Sequence, residues 1–465
     1  MMLGTLATDG AYDPKPNHLR ALEHQLIEVH KKRSTRVMFN MPPRMGKSEL
    51  SSHYFPAWRF GHNPEEDTMI ISHTQSLAQD FGGKARDTLT QFGPALWNVR
   101  VSQQTKAKDL WRLRNHKGTF MSLGVGGRPL GRGGHVILID DPYGNEEDAL
   151  SETVREGVSG WWRGTIRNRL EPGGAIIIVM QRWHTEDLCG ELQNERPDLW
   201  DVIRMPAIAE EDETWPLSNG DVWHRKEGES IWPERWPVEM LQDIQKDVGP
   251  YFWAAQYMQR PIPLGGAMFQ EDWLRFYASD GWYHKLMQPD GSLRLVDVRH
   301  CQRIVTMDIA VTEAETADFT CIQVWDISPE GDLILIDQQR FQLSGPEIKR
   351  RVPEINERYW PAAIYPEYAG VGIPIIQDLT EMGLPISAVK PGNKSKTLRA
   401  LGAQARMAAG KIYFDKSAAY WPELRREVLS FPASKHKDQV DTMAYAAMIA
   451  HEGYGVGGWS AKLRR

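Results

Sequence analysis

Asn40-Met41-Pro42-Pro43-Arg44-Met45-Gly46-Lys47-Ser48-Glu49 follows the apolar run Arg36-Val37-Met38-Phe39 and runs on into Leu50-Ser51-Ser52. The expected order is strand, tight turn, helix start. Successive backbone N–H groups then surround one point at the positive end of a helix dipole, which is an arrangement for binding phosphate. Pro43, Arg44, Met45 and Gly46 make the turn, Lys47 reaches the outer phosphates of ATP, and the Ser48 hydroxyl holds Mg²⁺. Met41 departs from the pattern, because such loops ordinarily carry glycine there.

Downstream, Val136-Ile137-Leu138-Ile139 ends in Asp140-Asp141-Pro142. A buried strand ending in an acid completes the Mg²⁺ shell of a phosphate-loop enzyme. Asp140 takes that role, and Asp141 stands where a base orients the attacking water. Between the two motifs, Gly124 to Gly134 carries Arg128 and Arg132 on glycine-rich backbone. One of them, with Arg132 favoured, is placed to reach a neighbouring subunit's γ-phosphate as a charge-stabilising finger; a surface loop with solvated arginines is the plain alternative. After Ala175-Ile176-Ile177-Ile178-Val179-Met180 comes Gln181-Arg182-Trp183-His184. Polar groups at the carboxyl edge of a parallel strand face the ligand crevice, so Gln181 is the candidate γ-phosphate sensor and His184 reads as structural.

Near-continuous β-branched runs separated by helical patterns predict a parallel sheet covered on both faces. The expected fold class is α/β, with a phosphate-loop (P-loop) NTPase domain over 1–204. A stretch rich in Trp-Pro pairs, 205–265, reads as a connector or small subdomain. From 266 to 452 a second αβ segment begins with three strands, Arg303–Asp308, Thr320–Trp325 and Leu333–Asp337, joined by short turns. Three hairpin-linked strands followed by mixed αβ is the order of an RNase H-like core, an order other α/β folds share. Residues 453–465, Gly-rich with a basic end, are expected to be a flexible tail.

In this second half Asp308 ends a strand, Glu367 follows Ala363-Ile364-Tyr365, and Asp438 and Asp441 open a late helix three positions apart. Carboxylates converging from distant sequence repel unless cations sit between them. Such a set suits two-metal phosphodiester cleavage with Mg²⁺ or Mn²⁺. Lys390, Lys394, Lys396 and Arg399 form an acid-free basic run nearby.

Composition sets the outer bounds. At 465 residues the chain exceeds one ordinary core. It is 41% apolar and 25% charged, as soluble globular proteins are. No stretch approaches the roughly 18 apolar residues of a membrane span, and no secretory signal is visible. A net charge of −6 argues against a polybasic binder. Three widely spaced cysteines, Cys189, Cys301 and Cys321, fit a reducing cytoplasm.

These residues resemble a known family, the large terminase subunits of tailed bacteriophages. The resemblance runs through Pro42–Glu49, Asp140-Asp141-Pro142, Trp161-Trp162, Arg169-Leu170, Gln181–His184, Gln256-Tyr257, Lys390-Pro391, Phe431-Pro432 and Asp438-Gln439-Val440-Asp441. It implies an N-terminal ATPase that translocates double-stranded DNA and a C-terminal RNase H-like nuclease that cuts concatemers. It also implies the portal protein and the small terminase subunit as partners. A homo-oligomeric ring on the portal, five-membered in the family, and a monomer when free are expected. The implied location is the cytoplasm of the infected host, on the procapsid and not in the mature virion. Lys47, Ser48 and Asp140 match nucleotide and Mg²⁺ positions, while Asp308, Glu367 and Asp438 match the nuclease acids, with Asp441 a neighbouring candidate. Departures leave three roles open. Glu146 or Glu147 stands as an alternative to Asp141, Lys437 replaces the first acid of a frequent Asp-Asp pair, and Gln181 replaces a small hydroxyl residue. An ATP-gated metal-dependent nuclease of prophage or restriction type, without processive movement, is the rival reading. A scaffold that binds nucleotide only to order an interface is a second rival.

Overall fold

The computed structural model describes residues 16–129, 131–263, 268–310, 319–390, 395–434 and 436–455. Leu130 and Lys394 fall outside these ranges, as do residues 456–465 of the expected tail. The chain divides into two compact units, 1–244 with 251–262 and 245–250 with 263–465.

The first unit is built on an eight-stranded sheet in the order β3-β4-β5-β2-β6-β7-β1-β8. The strands are β1 (Arg36–Asn40), β2 (Thr68–Ser72), β3 (Val101–Lys106), β4 (Leu110–Leu113), β5 (Thr119–Gly124), β6 (Gly134–Asp140), β7 (Leu170–Met180) and β8 (Asp201–Arg204). From β5 to β8 all pairings are parallel, as the unbroken apolar runs predict. Alternate residues go to opposite faces, and both faces are covered. Val37, Phe39, Ile70, Leu138 and Ile177 enter one core, while Met38, Ile71, Ile137, Ile139, Ile176 and Ile178 enter the other. The antiparallel edge formed by β3 and β4 is not signalled by the sequence pattern. These strands are short and polar, with only alternate residues such as Trp111 and Leu113 turned inward.

Residues 205–244 and 251–262 belong to this unit. The hairpin β9 (Glu213–Pro216) and β10 (Val222–Arg225) brings Trp215 and Trp223 against the core, and Trp232 and Trp236 join them. Large rings such as these are stabilising only when their area leaves water, which draws the segment onto the sheet.

The second unit has its own eight-stranded sheet, ordered β13-β12-β11-β18-β16-β15-β14-β17. Its strands are β11 (Arg275–Ser279), β12 (Tyr283–Met287), β13 (Leu293–Asp297), β14 (Gln302–Asp308), β15 (Thr320–Ile327), β16 (Leu333–Phe341), β17 (Ala363–Pro366) and β18 (Ile412–Phe414). β14, β15 and β16 form the predicted antiparallel meander, and β17 lies parallel beside β14. One face packs on the helices Gly345–Tyr359 and Ile373–Glu381 through Ile348, Val352, Ile355, Ile376 and Leu379. The helix Asp438–Gly455 also packs on β14, β15 and β16, and the helix Lys396–Ala408 packs on it in turn. Helix Asp438–Gly455 runs as far as Gly455, so the first residues of the expected tail are helical.

Two candidate active sites

In the first unit the sheet register aligns the motifs. Asn40 pairs with Met180, and Asp140 with Val179, so the ends of β1, β6 and β7 lie level at one carboxyl edge. The turn between β1 and the following helix places Arg44 at φ 63° and Gly46 at φ 80°. Gly46 sits in the left-handed region, where a Cβ is strained and glycine is not. A widened, π-helical turn, Glu49–Tyr54, follows at once, a feature often found at functional sites.

Lys47 Nζ donates to Gln181 Oε1 at 2.8 Å and stands 3.5 Å from Asp141 Oδ2. Ser48 Oγ donates to Asp140 Oδ1 at 2.9 Å, and Ser52 Oγ to Asp140 Oδ2 at 2.6 Å. Ser52, one helical turn beyond Ser48, escaped the sequence reading. Its spacing of four from Ser48 was the available signal. Asp140 is 1% exposed, and burial beside Asp141 pushes its carboxyl up to about 7 against the two hydroxyls and Lys47. A cation bound there would favour the charged form. Asp141 has φ 42°, and its Oδ1 is buried without a hydrogen-bond partner among the described residues. This acceptor beside Lys47 is suited to hold a water. Glu146 and Glu147 lie instead on the next helix, Glu146–Leu150. An open groove beside Ser48 is lined by Glu49, Leu77, Phe81, Lys84 and Lys108.

The neighbours of Gln181 are structural. Arg182 Nε donates to both oxygens of Asp187, which also caps the helix Leu188–Glu195 by accepting from Gly190 N at 3.0 Å. Burial lowers the His184 imidazole to about 4, and Arg155 adds to it. A histidine kept neutral this way fits the structural reading. Arg128 and Arg132 ride on the loop between β5 and β6; Arg128 is exposed and Arg132 half-buried. Trp161 Nε1 donates to Gly127 O at 2.9 Å and pins that loop.

In the second unit Asp308 ends β14 and Glu367 follows β17, one strand over. Ligand oxygens of Asp308, Glu367 and Asp441 lie within 4.8 Å of one another. Burial pushes the Asp308 carboxyl up to about 7; Lys396 opposes that shift, and Glu367 and Asp441 add to it. Three acids this close, with Asp441 fully buried, form a set that a hard divalent cation fits.

Asp438 is not part of this set, contrary to the sequence expectation. Arg340 on β16 holds it, Nε at 2.6 Å from Oδ2 and Nη2 at 3.3 Å from Oδ1. Helix positions three apart differ by about 60° around the axis and about 4.5 Å along it. That separation sends Asp438 toward Arg340 and Asp441 toward the end of β14. The start of this helix is fixed by Glu427, whose Oε1 accepts from Gln439 N at 2.9 Å and Val440 N at 3.0 Å. Gln439, fully buried, bonds Gln338, and Gln338 bonds Gln323. Sequence reasoning missed Glu427, Arg340 and this glutamine chain, because their partners lie far away in sequence. It did find Lys396 and Arg399 as a basic run; the structure puts both against Asp441.

A second grouping, His284, Cys301 and Asp326, also brings ligand atoms close. Arg303 takes both oxygens of Asp326 at 2.7 Å and His284 Nε2 lies 2.9 Å from Oδ2. Burial would raise the Asp326 carboxyl, yet the bonds from Arg303 and His284 outweigh it and hold it low. The grouping is a buried ion pair that ties β12 to β14 and β15.

Residues 38–276 match the family described as terminase large subunit, T4likevirus-type, N-terminal, and residues 305–449 match the terminase RNaseH-like domain. Among solved structures, the large terminase from a thermophilic bacteriophage aligns at 11% identity over 91% of this chain and 98% of that chain, with a TM-score of 0.49. The same terminase in complex with ATP-γ-S aligns at 11% identity over 90% and 97% of the two chains, with a TM-score of 0.47. The large terminase nuclease from the thermophilic phage G20c with bound magnesium aligns at 15% identity over 39% of this chain and 97% of that chain, with a TM-score of 0.28. No curated protein matches the chain in sequence.

Proposed function

The chain belongs to the large terminase subunits, with an N-terminal ATPase domain and a C-terminal RNase H-like nuclease domain, and from that premise we propose that it is the motor of viral DNA packaging. It hydrolyses ATP to drive double-stranded DNA through the portal into a procapsid, and it cuts concatemeric DNA in metal-dependent fashion. The observation that carries this reading is the pair of polar clusters in separate compact units. One is Lys47 with Gln181, Asp141 and Asp140; the other is Asp308 with Glu367 and Asp441.

At the first cluster the turn amides and Lys47 bind the phosphates of ATP, with Lys47 exchanging Gln181 and Asp141 for phosphate oxygens. Ser48 and Asp140 would hold Mg²⁺, which supplies charge neutralisation between the outer phosphates. Asp141 orients the attacking water, and Gln181, released or re-engaged as the γ-phosphate comes and goes, passes the change to the sheet edge. Arg132 reaches the phosphate of the adjoining subunit in a head-to-tail ring. At the second cluster Asp308, Glu367 and Asp441 would hold Mg²⁺ or Mn²⁺, whose Lewis acidity activates water against a phosphodiester. The small terminase subunit and the portal are the expected partners, in the cytoplasm of the infected host. Residues 205–265 serve as the connector between the two activities.

Plasmid cleavage with Mg²⁺ or Mn²⁺, measured beside ATP turnover for wild type, Lys47→Ala and Asp308→Ala, tests the assignment. Cleavage lost only in Asp308→Ala and ATP turnover lost only in Lys47→Ala is the expected pattern. Undiminished cleavage by Asp308→Ala would overturn it. ATP-driven displacement of a DNA triplex separates a translocating motor from a nucleotide-gated nuclease.

A further inference from the structure

We propose that the outward face of the β3–β4 ribbon in the first unit, carrying Arg100, Arg112 and Arg114, grips the phosphate backbone of duplex DNA. The proposal rests on the packaging reading above and names a surface by which the ATPase unit holds its track.

The stretch from Arg100 to Lys117 holds six Lys and Arg against one acid, Asp109, in a chain whose net charge is −6. The pleat sorts these residues. Trp111 and Leu113 turn into the core, so Arg112 and Arg114 turn outward, and both are exposed. Two positions apart on one face, they are about 7 Å from each other along the strand. Val101 pairs with Leu113, and one position further along Arg114 N donates to Arg100 O at 2.7 Å. Arg100 and Arg114 therefore stand opposite one another, and like charges so placed are destabilising unless an anion joins them.

No acid answers these three side chains: none makes an ion pair among the described residues. Other surface cations of the unit are paired. Lys31 and Arg33 meet Glu28, Lys32 meets Glu66, and Lys108 meets Asp80. Glu65, at the turn after β4, is engaged by His116 Nδ1 at 2.7 Å and Lys117 N at 3.0 Å. Protection of a sheet edge does not explain the arginines either. Edge strands are commonly charged against aggregation, but β4 lies between β3 and β5, and Arg112 lies on it.

The face is firmly backed. Trp111 is fully buried, stacks on Phe120 at 4.8 Å and donates through Nε1 to Gly82 O at 3.1 Å. A ribbon fixed from behind, offering planar guanidinium groups in a row, suits the repeated phosphates of a nucleic-acid strand. Such contacts carry no base sequence, as a track of arbitrary sequence requires.

Anisotropy of a labelled duplex of arbitrary sequence, titrated with the full chain in EDTA without nucleotide at several salt concentrations, tests this. Arg100→Gln with Arg112→Gln and Arg114→Gln should weaken binding at low salt by at least about tenfold. It should also reduce the slope of log K against log salt by about 3, at roughly 0.9 for each lost phosphate contact. Arg112→Gln and Arg114→Gln singly should each reduce it by about 1. The triple Arg→Lys variant, which keeps the charges, should retain the wild-type slope. Lys31→Gln with Lys32→Gln and Arg33→Gln, an equal loss of charge elsewhere, should leave the slope nearly unchanged. ATP turnover without DNA should be the same in all of them, which shows that the sheet is folded. Wild-type affinity and slope in the triple Arg→Gln variant would overturn the inference and leave this face to an acidic protein partner. An equal fall in the Lys31, Lys32 and Arg33 variant would overturn it too, since net charge would then be the cause. Wild type that binds no duplex even at low salt would instead remove the packaging reading itself.

Discussion

Lys47 is engaged before any phosphate arrives, by Gln181 at 2.8 Å and Asp141 at 3.5 Å. Its ammonium, on a residue only 5% exposed, therefore trades one set of buried acceptors for another when nucleotide binds. Gln181→Ala should lower kcat for ATP by about ten- to a hundredfold with a smaller change in KM, because orientation rather than binding is lost. A steady-state comparison with wild type decides it; an unchanged kcat would mean that Gln181 only parks Lys47. The acids of the second unit make a sharper contrast. Asp441→Asn should abolish metal-dependent cleavage. Asp438→Asn should keep cleavage but lose about 3 kcal/mol of stability, because the largely buried Arg340 side chain loses the charge partner it holds by both oxygens. Denaturant unfolding and plasmid cleavage on the same two variants separate the roles.

Among the elements, the helix Asp438–Gly455 depends most on a single side chain. Its first amides are held by Glu427, and Gln439 Nε2 donates to Glu427 Oε2 at 2.6 Å. Burial pushes the Glu427 carboxyl from its ordinary 4.5 up to about 7, Val440 N opposing and Asp438 adding. A carboxyl raised on folding holds its proton more tightly in the native state. That stability is present at low pH and is lost as pH climbs from about 4.5 to about 7. Thermal unfolding of wild type should show this decline, and Glu427→Gln should flatten it. Glu427→Ala, which leaves buried amides unpaired, should cost about 1–3 kcal/mol for each lost acceptor. A Glu427→Gln profile parallel to that of wild type over this range would show that Glu427 does not hold the proton.

At the scale of the whole molecule, the two polar clusters lie in units with separate cores. Substitutions in one are then expected to leave the chemistry of the other intact. The arginine proposal reaches beyond one chain. If Arg132 acts on the neighbouring subunit, Lys47→Ala and Arg132→Ala proteins, each inactive, should regain part of the ATP turnover when mixed. An interface between them would join an intact Lys47 to an intact Arg132. Absence of any recovery under conditions where wild type assembles would place the arginine's action within its own subunit or on Arg128.

The local part of this protein was legible in its sequence. Short-range chemistry determined the turn from Asn40 to Ser48, the parallel strands ending at Asp140 and Met180, and the meander from Arg303 to Asp337. Each rests on periodicity or on a backbone conformation that few residues allow, as at Gly46 with φ 80°. Tertiary structure decided the rest, because it depends on which distant groups meet. Spacing along a helix puts Asp438 and Asp441 near one another but does not say which one faces Asp308. That choice follows from Arg340 lying two strands from β14, where it neutralises Asp438. Ser52, Glu427 and Gln338 are ordinary polar residues in the sequence and become functional supports only through burial, which requires each of them to find a partner.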